Sequence, residues 1–210
     1  MRNPAQPLEV QRQIILASAS PRRKDLLAQI GLRFTVVPSD YEEDMTLQLS
    51  PRRLACFLSS KKAEDVAVRH RRALVIAADT FICCKGKLLG KPATPQEAKK
   101  MLHILSNRSH QVITGFTIID AASGIMVSRS VATRVFLKKL TARDINAYVA
   151  SGEPMDKAGA YAIQGFGAVL IKKIEGDYFN VIGLPLNALA SELRRFGINT
   201  LQPKTVDTLV

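Results

Sequence analysis

Nine residues near the middle of the chain, Leu74 to Ile82 (Leu-Val-Ile-Ala-Ala-Asp-Thr-Phe-Ile), restrict its fold more than any other stretch. The run is the most apolar of the sequence and must be a central strand. Asp79 interrupts it. A carboxylate inside such a run is expensive unless it is paired, hydrogen-bonded or metal-bound. A local rule broken in this way points to function.

A second stretch breaks a rule of its own. Ile14 to Ala17 is an apolar run of strand length, followed by Ser18-Ala19-Ser20-Pro21-Arg22-Arg23-Lys24 and an apolar helical face of Leu26, Leu27 and Ile30. Ser20 reads as an N-cap, Pro21 as the first helical residue and Gly31 as the stop. Arg22, Arg23 and Lys24 then fall at the positive end of the helix dipole, where each exposed cation costs roughly 0.3–1 kcal/mol. A bound anion held by open N–H groups, hydroxyls and guanidinium forks offsets that cost, so the stretch reads as a phosphate site.

Other elements follow in order. Phe34 to Val37 reads as a strand, and Pro38 to Met45 as an acidic loop with Asp40, Glu42, Glu43 and Asp44, one of which could help hold a divalent cation. Ser50-Pro51 opens a helix to about Val68 that carries Lys61 and Lys62. Lys85-Gly86-Lys87 is a hairpin turn, and Lys91 stands between Gly90 and Pro92. Thr94-Pro95-Gln96-Glu97 is a capping box before Ala98, Met101, Leu102 and Leu105. Gln111 to Ile119 and Ile125 to Leu137 read as a long hairpin, and Thr141 caps a helix to Ala150. Gly152 to Gly167 is a long Gly-rich loop of the kind that carries function. Ala168 to Ile174 and Tyr178 to Ile182 are expected to form a last hairpin, and Pro185 opens the final helix.

Composition narrows the chemistry. The net charge is +12, which favours an anionic partner. Aromatic residues make up only 6% of the chain, without Trp, so a stacking platform for single strands is poorly supported and small polyanions such as nucleotides fit equally well. No apolar run approaches the ~20 residues of a membrane span. Met1 to Gln13 has no apolar core of a secretory signal. Cys56, Cys83 and Cys84 are spaced for neither zinc nor a disulfide framework and read as reduced thiols of a cytoplasmic protein. His70, His103 and His110 are scattered, and no P-loop, His-Glu-x-x-His or Gly-x-Ser-x-Gly motif occurs. Basic groups from distant segments together with carboxylates suit phosphoanhydride cleavage, with water oriented by a carboxylate.

Five pieces carry a resemblance: Leu16 to Leu27, Ala78-Asp79-Thr80, Gly90-Lys91-Pro92, Glu153 to Gly165, and Gly176 to Pro185. In that order they resemble the Maf nucleotide pyrophosphatases. The resemblance implies an α/β fold: a mixed twisted sheet with flanking helices, and two lobes around a central cleft, as in inosine triphosphatase-like proteins. One such domain is expected over 13–198, between a polar stretch at 1–12 that reads as a flexible leader and a tail at 199–210. The resemblance further implies a cytoplasmic homodimer, linked to septum formation. The expected activity is hydrolysis of a nucleoside triphosphate to the monophosphate and pyrophosphate with a divalent metal (Mg2+, Mn2+ or Co2+). Asp79 matches the proton acceptor, Ser18, Arg22 and Arg23 the first phosphate motif, and Lys62 and Lys91 two further phosphate ligands. Glu42, with Asp79, matches the metal position. Arg22, Thr80 and Gln164 match the positions of base choice, in the forms of the subgroup acting on dTTP and UTP. Ala162 and Asn107 depart from the family, which commonly has glycine there. Neither a stable nucleic-acid complex nor a membrane partner is expected. The competing readings are a nucleic-acid-binding protein and a non-catalytic nucleotide-binding regulator of division.

Overall fold

A computed structural model describes residues 12–201 of the chain. The leader expected at 1–12 and the tail at 199–210 therefore lie outside the described residues, apart from Arg12 and the stretch 199–201.

The chain runs β1 (Ile14–Leu16), α1 (Pro21–Gln29), β2 (Thr35–Val36), α2 (Pro51–Ala67), β3 (Leu74–Cys84), β4 (Lys87–Leu89), α3 (Pro95–Leu105), β5 (Ser109–Asp120), β6 (Met126–Leu137), α4 (Ala142–Ala150), β7 (Ile171–Glu175), α5 (Tyr178–Ile182) and α6 (Leu186–Leu193). Three short 3-10 turns occupy Glu153 to Leu170. One mixed sheet of seven strands results, in the order β2-β1-β3-β5-β6-β7 with β4 paired to β3. The apolar run that sets the fold is β3, flanked by parallel β1 and antiparallel β5. No helix among the described residues is long and apolar enough to cross a membrane.

Alternation along the strands divides the core. Ile15, Ala17, Val75, Ala77, Phe81 and Ile113 face α2. The opposite face carries two separate clusters. Leu16, Ile76, Ala78 and Phe116 pack under α1 and α6, whereas Ile82, Val112, Val135 and Leu137 pack under α3 and α4. Thr80 and Thr114 lie between these two clusters, and the cleft opens there.

Several expectations need correction. The expected last hairpin does not form, because Tyr178 to Ile182 is a helix. Asp177 caps it by accepting from the Asn180 N–H, a start signal hidden behind an apolar, β-favouring sequence. Ser20 holds the N-cap position of α1, yet its side chain makes no capping bond. Glu97 reaches back to the Ala93 N–H rather than to that of Thr94, so only half of that capping box forms. A complete box forms at Thr141 and Asp144. Asn107 adopts φ 55°, the left-handed conformation that asparagine tolerates better than most residues and that glycine adopts freely.

Candidate active site

The loops leaving the carboxyl ends of β1 and β2 depart to opposite faces of the sheet, one into α1 and one towards α2. A crevice opens where neighbouring connections diverge in this way. Its wall contains Ser18, Ser20, Arg22, Arg23, Glu43, Lys62 and Lys91. Residues from four separate segments are thus gathered in one chamber.

The helix start is prepared for an anion. Pro21 has no N–H, and the N–H groups of Arg22 and Arg23 find no acceptor among the described residues. Because Ser20 does not cap them, these dipole-end donors stay open. The Ser18 hydroxyl accepts from the Ser20 N–H (3.2 Å) and from Arg23 Nη1 (3.1 Å). Arg23 also donates from Nε to the Gly183 carbonyl (2.9 Å) and from Nη2 to Thr80 Oγ1 (3.0 Å). It therefore ties α1 to β3 and to the end of α5, with one N–H left on each terminal nitrogen. Burial pulls its guanidinium below the ordinary value against the opposing pull of Asp79 and Glu43, and it stays charged. Arg22 is drawn outward: Nη1 donates to Asp156 Oδ2 (2.9 Å) and Nη2 to the Asp156 carbonyl (3.2 Å). Lys91 makes no ion pair among the described residues and lines the chamber as an uncommitted cation.

Asp79 is nearly buried and leaves β3 on the α2 side. Lys62 descends from α2 and donates to Asp79 Oδ1 (2.5 Å) and to Glu43 Oε1 (2.5 Å). One ammonium thus bridges two carboxylates: Glu43 lines the chamber with Lys62, and Asp79 is buried behind that lysine. The height of α2 is set by Gly115, directly across from Asp79 in the sheet register. A Cβ on Gly115 would lie 2.1 Å from the Ala55 carbonyl oxygen. Two helical turns further along the same face is Lys62.

The metal expectation changes in detail. Glu42 is exposed and does not join the chamber, whereas Glu43 does. The acidic-loop carboxylate that meets Lys62 beside Asp79 is therefore Glu43, the neighbour of the expected Glu42. Among the described residues no group of three or more His, Cys, Asp or Glu is arranged to hold a metal. Two carboxylates that already converge on one cation still match the way a small hard cation is held together with phosphate oxygens.

A second chamber adjoins the first and shares Ser20, Arg22, Arg23, Lys91 and Asp156 with it. Its further lining joins apolar Ile82, Val112, Ile163, Val181 and Ile182 to the polar Thr80, Lys157, Tyr161 and Gln164. Gln164 is exposed and its amide makes no hydrogen bond among the described residues. It does not tie down its own loop. Glu153 does, accepting from Tyr148 Oη (2.8 Å), the Phe166 N–H (2.8 Å) and the Gly167 N–H (2.9 Å). Behind the chamber His110 is buried and shares a 2.7 Å hydrogen bond with Tyr161, and burial pulls its pKa down to about 4.

The family model for the Maf-like protein matches residues 13–196. This chain belongs to the Maf family. Relatives named dTTP/UTP pyrophosphatase include one from Methanosarcina barkeri, 50% identical over 192 residues, with 91% of this chain and 98% of the relative covered. Another, from Moorella thermoacetica, is 48% identical over 186 residues, covering 89% and 96%. Solved structures share the fold at low identity. A HAM1 protein from Coxiella burnetii matches with a TM-score of 0.53 at 16% identity, covering 88% of this chain and 99% of that one. The Ham1 protein of Staphylococcus aureus matches at 0.52 and 14%, covering 88% and 100%.

Sequence reasoning missed Asp156, Glu153, Gly115, Thr114 and Asn180. A glycine inside an otherwise apolar strand is a recognised sign of close backbone approach, so Gly115 had a signal. Glu153, Asp156 and Asn180 lie inside recognised motifs but carried no role there, and Thr114 had no signal.

Proposed function

We propose that the chain hydrolyses dTTP, UTP and related pyrimidine or modified nucleoside triphosphates to the monophosphate and pyrophosphate. The observation that carries this reading is the pairing of Asp79 and Glu43 on Lys62 at the edge of a chamber where the open start of α1 meets Arg22, Arg23 and Lys91. The relatives' names, at about half identity over nearly the whole domain, supply the same activity.

In this reading the triphosphate lies at the start of α1. The N–H groups of Arg22 and Arg23, the two remaining guanidinium N–H groups of Arg23, and Lys91 take its charge. The base enters the second chamber, where Gln164 presents a free amide. Water near Asp79 is oriented and loses its proton to the carboxylate as it attacks, and the bond between the nucleoside monophosphate and the leaving pyrophosphate breaks. Lys62 neutralises charge on the same phosphates. A divalent cation such as Mg2+, Mn2+ or Co2+ fits beside Glu43 and Asp79 and would neutralise the bridging phosphate oxygens when bound. A cytoplasmic homodimer, linked to septum formation, belongs to the same reading, and the three free thiols accord with that compartment.

The test is pyrophosphate release from a panel of nucleoside triphosphates, with the Asp79→Asn protein in parallel. dTTP and UTP should lead the panel, and Asp79→Asn should lower turnover by at least ~10²-fold with the fold intact. Near-normal turnover in folded Asp79→Asn would remove Asp79 from its role. Duplex binding with a steep salt dependence and no pyrophosphate release would favour the nucleic-acid reading instead.

A further inference from the structure

We propose that Thr114, a buried strand residue, makes the base chamber accept uracil and thymine and reject cytosine, by fixing which way the Thr80 hydroxyl points. The proposal rests on the pyrimidine-triphosphate reading above.

The argument is a count of protons. Thr80 and Thr114 are directly opposite one another on β3 and β5, with their hydroxyl oxygens 3.0 Å apart. Each hydroxyl has one proton to give. The Thr114 hydroxyl also lies 3.1 Å from the Asn180 carbonyl. That buried carbonyl needs a donor, and the N–H groups of Gly183 and Leu184, which would otherwise supply one, both go to Phe179. Thr114 therefore donates to Asn180, and the proton between the two threonines comes from Thr80. The alternative acceptor for Thr80, the Gly183 carbonyl, is 3.4 Å away and is already served by Arg23 Nε. An O–H···O bond ordinarily spans ~2.5–3.0 Å, so that route is weak.

Thr80 thus has its proton committed to Thr114 and one lone pair committed to Arg23 Nη2. What it presents to the chamber is a single lone pair, an acceptor that cannot turn into a donor. Uracil and thymine, attached through N1, carry one ring N–H, at N3. Cytosine carries a lone pair there. A fixed acceptor that faces N3 bonds the first two and repels the third.

Gln164 cannot make this distinction alone. Its amide is free, and rotating it by half a turn exchanges donor and acceptor, so it can match either base. The discriminating group has to be one that cannot rotate. The anchor is deep: Asn180 is fully buried, its Nδ2 donates to the Val112 carbonyl (3.0 Å) and Thr133 Oγ1 (3.0 Å), and Thr133 Oγ1 in turn donates to the Asp177 carbonyl (2.9 Å). Thr114 is a positioning residue, acting through Thr80.

The test compares kcat/KM for UTP and CTP in wild type, Thr114→Val, Thr114→Ser and Thr80→Val, with melting curves to verify folding. Wild type should favour UTP. Thr114→Val keeps the shape and removes the hydroxyl, which frees the Thr80 proton, so the UTP-to-CTP ratio should fall by roughly tenfold, the scale of one hydrogen bond. Thr114→Ser should restore it. Thr80→Val loses the acceptor and its repulsion together and also releases Arg23 Nη2, so it should lower UTP use more than CTP use. It also serves if Thr114→Val does not fold. A purely structural role would lower both substrates equally in either variant and leave the ratio unchanged, which overturns the proposal while the pyrophosphatase reading stands. Equal use of UTP and CTP by wild type also overturns it. A wild type that releases pyrophosphate from no nucleotide overturns the functional reading, and this proposal with it.

Discussion

Replacing Gly115 by alanine should damage the site without touching any residue that meets substrate. The added Cβ would sit 2.1 Å from the Ala55 carbonyl oxygen, 2.2 Å from its carbon and 2.7 Å from the Cys56 nitrogen, so α2 must withdraw by more than about 1 Å before ordinary contact is restored. These are backbone atoms of a 17-residue helix, and no side-chain rotation relieves the clash. Overpacking of this kind costs about 3 kcal/mol or slightly more. In a domain of this size that lowers the melting temperature by roughly 6–12 °C. Withdrawal of α2 also lifts Lys62 from Asp79 and Glu43. A displacement of about 1 Å near reacting groups costs on the order of 10²-fold in rate. Calorimetry and pyrophosphate release, at a temperature where the variant is fully folded, measure the two effects separately. A variant that melts within about 2 °C of wild type and turns over normally would show that α2 is not seated on Gly115, and the account of how Lys62 is placed would be wrong.

Two further outcomes follow from the site. Lys91→Ala should raise KM for the triphosphate several-fold while leaving melting unchanged or slightly raised, because Lys91 has no ionic partner to lose among the described residues, and thermal shift with Michaelis kinetics checks both. His110, held neutral by burial with its pKa down at about 4 against an ordinary 6.5, favours the unfolded state on acidification. Its stabilising contribution is complete above about 6.5 and is lost as pH falls from there towards 4, so His110→Gln should flatten the loss of melting temperature between pH 7 and 5, and an unchanged slope would assign that loss elsewhere.

Much of this was written plainly in the chain. The apolar run of β3, the proline-led helix starts and the long β5–β6 pair announce themselves by period and punctuation, which depend on neighbours in sequence. What stayed hidden depends on neighbours in space. Tyr178 to Ile182 has strand-like residues, yet Asp177 caps it and Asn180 locks it to β5 and β6, so tertiary anchoring overrides propensity. Glu42 and Glu43 are adjacent in a loop, and nothing in a linear reading says which one turns towards Lys62. Arg23 reads as a phosphate ligand, but two of its five donors hold α1 to Thr80 and Gly183, a duty set by segments far away in sequence. Ser20 looks like a cap and is not one, and this leaves the N–H groups of α1 open for an anion.

Asp79 and Thr80 are consecutive residues whose side chains leave β3 on opposite sides. In the proposed reaction the residue that handles water and the residue that meets the base are therefore joined by one peptide unit, their backbones about 3.3 Å of strand rise apart, in the middle of a seven-stranded sheet. Loop motion cannot stretch that spacing, so the strand works as a fixed gauge between the point of cleavage and the point of reading. It is also a partition. Substitutions on the Thr114 and Asn180 side can retune which base is admitted while the Asp79, Glu43 and Lys62 side is left as it was, and a protein built in this way can be re-aimed without being rebuilt.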